Sequence, residues 1–303
     1  MKLDQHDFES IMQREFGAST LTLASFPGNA GDHLITMSSL STLEKLGLKV
    51  NLALPGAPVG ESAANRTLLV AGGGNLVPLY DDVAQLLHRF KDAFQRLVVL
   101  PHTIAGHEPL LRELPDSTLI FCREKPSFDY VSNQVSAQTY LCDDMVFYGD
   151  MSAFRVRHLP LVWLRELFGT FRVTGLGRRK YAEAKLRLLG GWLRRRLSRS
   201  GTRAGHLYRT DRESAGQPIP DDNCDASVAF DYGQTSIERI RESARDFVNY
   251  IDQFDIVYTD RLHVCIAAAR LGKTVYFSGG SYHKCRSVYE NSIAGRFDNV
   301  IWT

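Results

Sequence analysis

The 303-residue chain lacks any paired-cysteine signature. Its five cysteines, Cys122, Cys142, Cys224, Cys265 and Cys285, are never spaced as CxxC and never join a Cys/His ligand pattern. A structural zinc site is therefore not expected. An odd, scattered set fits a reduced cytoplasmic protein in which each thiol is a small buried hydrophobe. No apolar run nears the roughly 20 residues that span a bilayer. Met1–Phe16 is dotted with charges and has no apolar core of a signal peptide. The expectation is a soluble protein, at most resting on a membrane surface. GxGxxG is missing, which disfavours a nicotinamide cofactor, and so is GxxxxGK[ST], which removes a P-loop. There is no short repeat and no low-complexity tract.

What is present is ordinary in bulk and uneven in detail. A hydrophobic share of 44% with 23% charged residues is that of a globular protein, and the length suits two domains. A net charge of only +2 argues against nucleic acid as a partner. Between Arg178 and Arg203, however, ten basic side chains stand against the single acid Glu183, so the rest of the chain is net acidic. In this stretch Leu186, Leu189, Trp192, Leu193 and Leu197 lie among arginines, as in an interfacial helix drawn to anionic lipid. A solvated helix that packs its leucines on the core is the plainer alternative.

The first half alternates apolar, β-branched runs with helical stretches. Strands are expected at Leu21–Phe26, Lys49–Leu54, Thr67–Ala71, Leu97–Leu100 and Thr118–Phe121. Helices are expected from Asp32 to Leu46, with Asp32 as cap and Gly47 as stop, from Asp81 to Arg96, and from Pro126 to Gln134. Met151–Gly205 breaks the rhythm and reads as helix and linker. Alternation resumes with strands Leu207–Arg209, Ile256–Tyr258 and Thr274–Phe277 and helices Ser236–Ile251, Leu262–Leu271 and Lys284–Ser292. The fold class is α/β: two Rossmann-like lobes, 1–170 and 206–303, with parallel sheets and helices on both faces, joined by a basic helical linker, 171–205.

Several strand ends carry polar residues suited to a ligand. Gly28-Asn29-Ala30-Gly31-Asp32 connects a strand to a helix, where N–H groups favour an anionic or polar ligand. Gly72-Gly73-Gly74-Asn75 follows another strand with more glycines than a turn needs. His102 comes at the end of a further strand and should reach the same edge. Tyr258-Thr259-Asp260-Arg261-Leu262-His263 runs from a strand into a helix. Cations in that first turn gain nothing from the helix dipole, so Arg261 and His263 suggest a bound anion. Lys284 follows the next strand, and Arg209, with Arg212 close behind, follows the first strand of the second lobe. Together they make a candidate anion clamp.

These residues resemble the polysaccharide pyruvyl transferase family. Gly28-Asn29-Ala30-Gly31-Asp32 is similar to its GNxGD loop, and Gly72-Gly73-Gly74-Asn75 to its second glycine loop. Arg209-Thr210-Asp211-Arg212-Glu213 is similar to the RxDxE stretch of the exopolysaccharide branch. Thr259–His263 matches [ST]-x-R-L-H, and Ser281–Lys284 matches S-Y-x-K, with His283 where a glycine is frequent. Nothing in Met151–Gly205 takes part.

The resemblance implies a GT-B-like fold with phosphoenolpyruvate bound between the lobes, the first lobe being the acceptor side. It implies His263 as general acid, Arg261 and Lys284 as carboxylate and phosphate contacts, Arg209 as the arginine of the opposing strand, and Arg212 as its neighbour. Asp32 is a possible base. The substrate-binding set is completed by Gly28, Asn29, Gly31, Gly73, Gly74, Asn75 and His102. No cofactor or metal is expected, since charge neutralisation falls to Arg and Lys. The expected acceptor is a sugar of a lipid-linked bacterial polysaccharide precursor, handled in the cytoplasm or on the inner face of the membrane through 178–203. A GT-B glycosyltransferase with a nucleotide-sugar donor and a non-catalytic glycan-binding relative are the rival readings.

Overall fold

The structure, a computed structural model, describes residues 2–17, 19–56, 67–155, 159–169, 176–197, 201–216 and 218–303. The expected lobe boundary at residue 170 and Arg199 of the basic run lie outside them. After helix α1 (Gln5–Phe16) come β1 (Thr20–Ala24), α2 (Ala30–Lys45), β2 (Lys49–Ala53), β3 (Thr67–Val70), β4 (Gly73–Leu76), α3 (Asp82–Phe90) and β5 (Arg96–Ile104). Then follow α4 (Glu108–Arg112), β6 (Leu119–Cys122), α5 (Lys125–Ser132) and β7 (Gln138–Leu141). The strands form one parallel sheet in the order β2-β1-β3-β5-β6-β7, with β4 beside the far half of β5. The chain leaves β1 toward β2 and returns past it to β3. That reversal opens a crevice at the carboxyl ends of β1 and β3, where open α/β sheets hold ligands.

Between the sheets lie α6 (Met145–Tyr148), a 3-10 turn (Met151–Phe154), α7 (Leu159–Gly169) and α8 (Leu176–Leu197). The second sheet is built from β8 (Ala204–His206), α9 (Ala226–Ala229), α10 (Ile237–Ile251), β9 (Ile256–Thr259), α11 (Leu262–Arg270), β10 (Thr274–Phe277), α12 (Lys284–Val288) and β11 (Val300–Trp302). It is parallel throughout, in the order β11-β10-β9-β8.

Helix α2 joins the two halves. It is buried on almost every side because it packs on α10 of the second lobe as well as on its own. Its hydroxyls Thr36, Ser39 and Thr42 donate to carbonyls one turn back, at 2.8–3.0 Å, and so are paired within the core. His33 Nδ1 lies 2.6 Å from Ser243 Oγ of α10, a polar tie between lobes.

Three expected boundaries move for physical reasons. The glycine run resumes as a strand at Gly73, since β4 pairs with β5. Strand β5 does not stop at Leu100. Its register slips between Val99 and His102, and Pro101 sits in that irregularity, where a missing N–H is tolerated. The strand expected at Leu207–Arg209 lies earlier, at Ala204–His206, so Arg209 stands on the loop beyond it.

Candidate active site

The carboxyl edges of both sheets face a cleft of about 300 Å³. From the first lobe it is lined by Gly28, Asn29, Asp32, Gly74, Asn75, Tyr80, Asp82 and Arg123. The second lobe contributes Arg209, Asp211, Glu213, Ser227, Arg261, His263 and Lys284. Most of the residues singled out from the sequence thus converge. His102, Arg212, Gly31 and Gly73 stand behind or beside the lining.

The first loop is built by its capping box. Asn29, not Asp32, is the N-cap of α2: its side chain accepts from Gly31 N at 2.9 Å, and Asp32 Oδ2 accepts from Asn29 N at 2.8 Å. Asp32 therefore faces the cleft with one oxygen already occupied. The glycines serve close approach. A Cβ on Gly31 would lie 2.7 Å from His263 Nδ1, one on Gly74 would lie 2.4 Å from Arg123 Nη2, and one on Gly28 would meet the Asp32 carboxylate. His102 is fully buried and holds Asn75 Oδ1 at 3.0 Å through Nε2. Burial, then the Arg123 charge, pushes its imidazole down to about 3, so it is a neutral positioning residue.

His263 occupies the second position of α11, its side chain 13% exposed, with Nε2 at 3.6 Å from the buried Asp144 Oδ2. Among the described residues that nitrogen has no nearer polar partner. Asp144, just beyond β7, also pairs with Arg123 Nη1 at 2.7 Å, while Thr103 Oγ1 accepts from Arg123 Nε at 2.9 Å. Burial alone would raise the Asp144 carboxyl. The His263 imidazole and the Arg123 charge overcome this and hold it below the ordinary carboxylate range.

The cations of the second lobe are not free; each is gripped by carboxylates. Arg261 forks onto Asp225 through Nε at 3.0 Å and Nη2 at 2.5 Å, and Nη2 also meets Asp211 at 2.8 Å. Arg209 pairs with Glu213 at 2.5 Å and Asp211 at 3.1 Å, and its backbone N–H donates to Asp260 Oδ1 at 2.7 Å. Lys284 Nζ binds the same Glu213 oxygen at 2.6 Å. The site is a preorganised lattice of alternating charge, so an incoming anion must share these cations with the protein's own acids. His283, in place of the frequent glycine, has φ −59°, a value open to any residue.

Glu213 is the hub. Tyr80 reaches across from the first lobe and donates to it at 2.7 Å. Arg212 stacks on Tyr80 at 4.8 Å and donates to Leu79 O at 3.2 Å, so it latches the lobes together at the cleft's edge. Burial opposes ionisation of Glu213, but Lys284 and Arg209 bring its carboxyl down to about 2. A depressed acid contributes stability above its unfolded value of 4.5, lost as pH falls through the folded value near 2. The margin of the wild type over Glu213→Gln in urea unfolding is expected to be on the order of 3 kcal/mol at neutral pH. It should shrink steadily below pH 4.5. A margin indifferent to pH would contradict the hub.

Sequence reasoning missed Arg123, Asp144, Asp225 and Tyr80. Arg123 carries the same signal as Arg209, an arginine that follows an apolar strand.

Fold and cleft together define a two-lobed α/β protein whose polar centre lies between parallel sheets. A family model described as polysaccharide pyruvyl transferase matches residues 29–281, and the chain belongs to that family. No curated protein matches it. The crystal structure of an uncharacterised protein from Klebsiella pneumoniae is similar with a TM-score of 0.76 and 24% identity, over 100% of this chain and 99% of that one. At that identity the likeness speaks for the fold. Among the described residues no helix is long and apolar enough to cross a membrane.

Proposed function

We propose that the chain transfers the enolpyruvyl group of phosphoenolpyruvate to a sugar of a lipid-linked bacterial polysaccharide precursor, forming a pyruvate ketal. The observation that carries this reading is the meeting of His263 with Arg209, Arg261 and Lys284 in one cleft. Guanidinium and ammonium groups suit the donor's carboxylate and phosphate. His263 gives a proton to C3 as a sugar hydroxyl oxygen bonds to C2. The C2–O bond to phosphate then breaks, phosphate leaves, and a second hydroxyl closes the ring. One hydroxyl proton replaces the one given by His263, and the other leaves with phosphate. Asp32 lines the cleft and is our choice of base for these protons.

We assign the acceptor to the first lobe, where a groove of about 270 Å³ shares Pro27 and Asp82 with the cleft and adds Phe26, Gln85, Arg89 and Phe90. Aromatic faces beside amide and charged groups suit a sugar. Charge neutralisation by the cleft's cations leaves no cofactor needed, and five buried thiols suit a reducing cytoplasm. The test is turnover in D2O with the lipid-linked oligosaccharide fraction of the host bacterium. Phosphate should be released only with that fraction, and the new ketal methyl should carry one deuterium by NMR. Sugar transfer from a nucleotide-sugar instead would make the chain a glycosyltransferase. Glycan binding with no turnover of either donor would make it a non-catalytic relative.

A further inference from the structure

An ordinary surface helix turns its apolar stripe inward and its charges outward. The pair α7 and α8 departs from this: it buries Trp163 and Leu188 in the core and yet carries further apolar side chains on its outer side. Their inner sides meet α10 through a buried charged network. Lys185, wholly buried, binds Glu166 at 2.5 Å, Glu242 at 2.8 Å and Asp246. Arg245 pairs with Glu166 at 2.8 Å, and Trp163 Nε1 donates to Asp246 at 3.2 Å. These three carboxylates are close enough to hold a metal ion, but the Lys185 ammonium is bound among them. The network ties both helices to the second lobe.

The outer sides are apolar. Leu161, Leu164 and Phe168 recur at i, i+3 and i+7 along α7, with Leu161 71% and Phe168 68% exposed. On α8, Leu186, Leu193 and Leu197 recur at i, i+7 and i+11, with Leu197 78% exposed. Among the described residues these two helices hold six of the ten exposed large hydrophobic side chains, so the clustering is not the usual scatter. Leu189 and Trp192, expected in the same stripe, pack against the core instead. Exposed Arg165, Arg187, Arg194 and Arg196 flank the leucines, whereas Arg195 turns back to donate to Asp252 O at 2.6 Å; Glu183, the exposed acid on α8, is already paired with Arg179.

We propose that the outer face of α7 and α8 docks on an anionic phospholipid bilayer, its six apolar side chains entering the acyl boundary and its arginines lying among the phosphates. Charge selects this occupant. An apolar face ringed by like-charged arginines repels a second copy of itself, whereas anionic headgroups neutralise it. The inference does not depend on the donor.

The test is co-sedimentation with vesicles of phosphatidylcholine alone or mixed with phosphatidylglycerol. The full chain should bind the mixed vesicles and stay in solution with phosphatidylcholine. Leu161→Ser with Phe168→Ser and Leu197→Ser should weaken binding at least tenfold, as should Arg194→Glu with Arg196→Glu. All five side chains are exposed, so circular dichroism should be unchanged. No binding to the mixed vesicles overturns the proposal. So does a dimer in sedimentation that the serine variant dissolves, which would give the face to a second copy. Calorimetry with phosphoenolpyruvate on the same variants should be unaffected, so the two readings fail separately.

Discussion

His263→Ala is expected to lower kcat by about 10²–10⁴-fold, the span of a lost general acid, with phosphoenolpyruvate affinity changed only a few-fold. The imidazole is held from two sides, by Gly31 of the first lobe and by Asp144 at 3.6 Å. Asp144 keeps Arg123 as a partner when the ring is removed, so the fold should survive the substitution. In the proposed reading the donor's charge is met by Arg209, Arg261 and Lys284, which the substitution leaves in place. Steady-state kinetics beside a binding titration separate the two effects. A variant that keeps turnover, or that loses binding and kcat together, would take the acid role away from His263.

Asp144→Ala is expected to destabilise the protein by about 3–5 kcal/mol, because it strands a buried guanidinium. Arg123 is 1% exposed and would keep only Thr103 as a side-chain partner. The Asp144 carboxylate also caps α6 by accepting from Val146 N at 2.9 Å, a contact worth about 1 kcal/mol. Replacing the pair together, Arg123→Met with Asp144→Leu, should recover most of the stability but not the cap. It should not recover kcat, since His263 loses the carboxylate beside it. Urea unfolding of the three variants checks the first point and kinetics the second. A double variant as unstable as the single one would show that the buried pair is not what Asp144 supports.

Much of this was legible in the chain. Buried strands such as Thr67–Val70 are largely apolar runs, and the segments that follow Thr20–Ala24, Thr67–Val70 and Ile256–Thr259 reach the cleft. What stayed hidden depends on pairing rather than pattern. Strand β7, Gln138–Leu141, has no apolar alternation and is a strand because β6 pairs with it, so Asp144 beyond it drew no notice. The extension of β5 through Pro101 needs the register slip against β6. The carboxylates that grip Arg209, Arg261 and Lys284 were in view as Asp211 and Glu213, but Asp225 is a distant residue brought in by the fold. The apolar outer stripe of α7 and α8 was half visible: the sequence shows leucines among arginines, and only packing shows which of them face out.

The central claim is that this lattice of paired charges binds phosphoenolpyruvate. Calorimetric titration of the full chain tests it, beside a panel of nucleotide-sugars and with Arg261→Ala and Lys284→Met as controls. The second control is included because Glu213 keeps Arg209 as a partner when Lys284 is removed. Saturable heat with phosphoenolpyruvate that both variants weaken at least tenfold, and none with the nucleotide-sugars, is the predicted result. Silence with phosphoenolpyruvate and a saturable response to a nucleotide-sugar would contradict it.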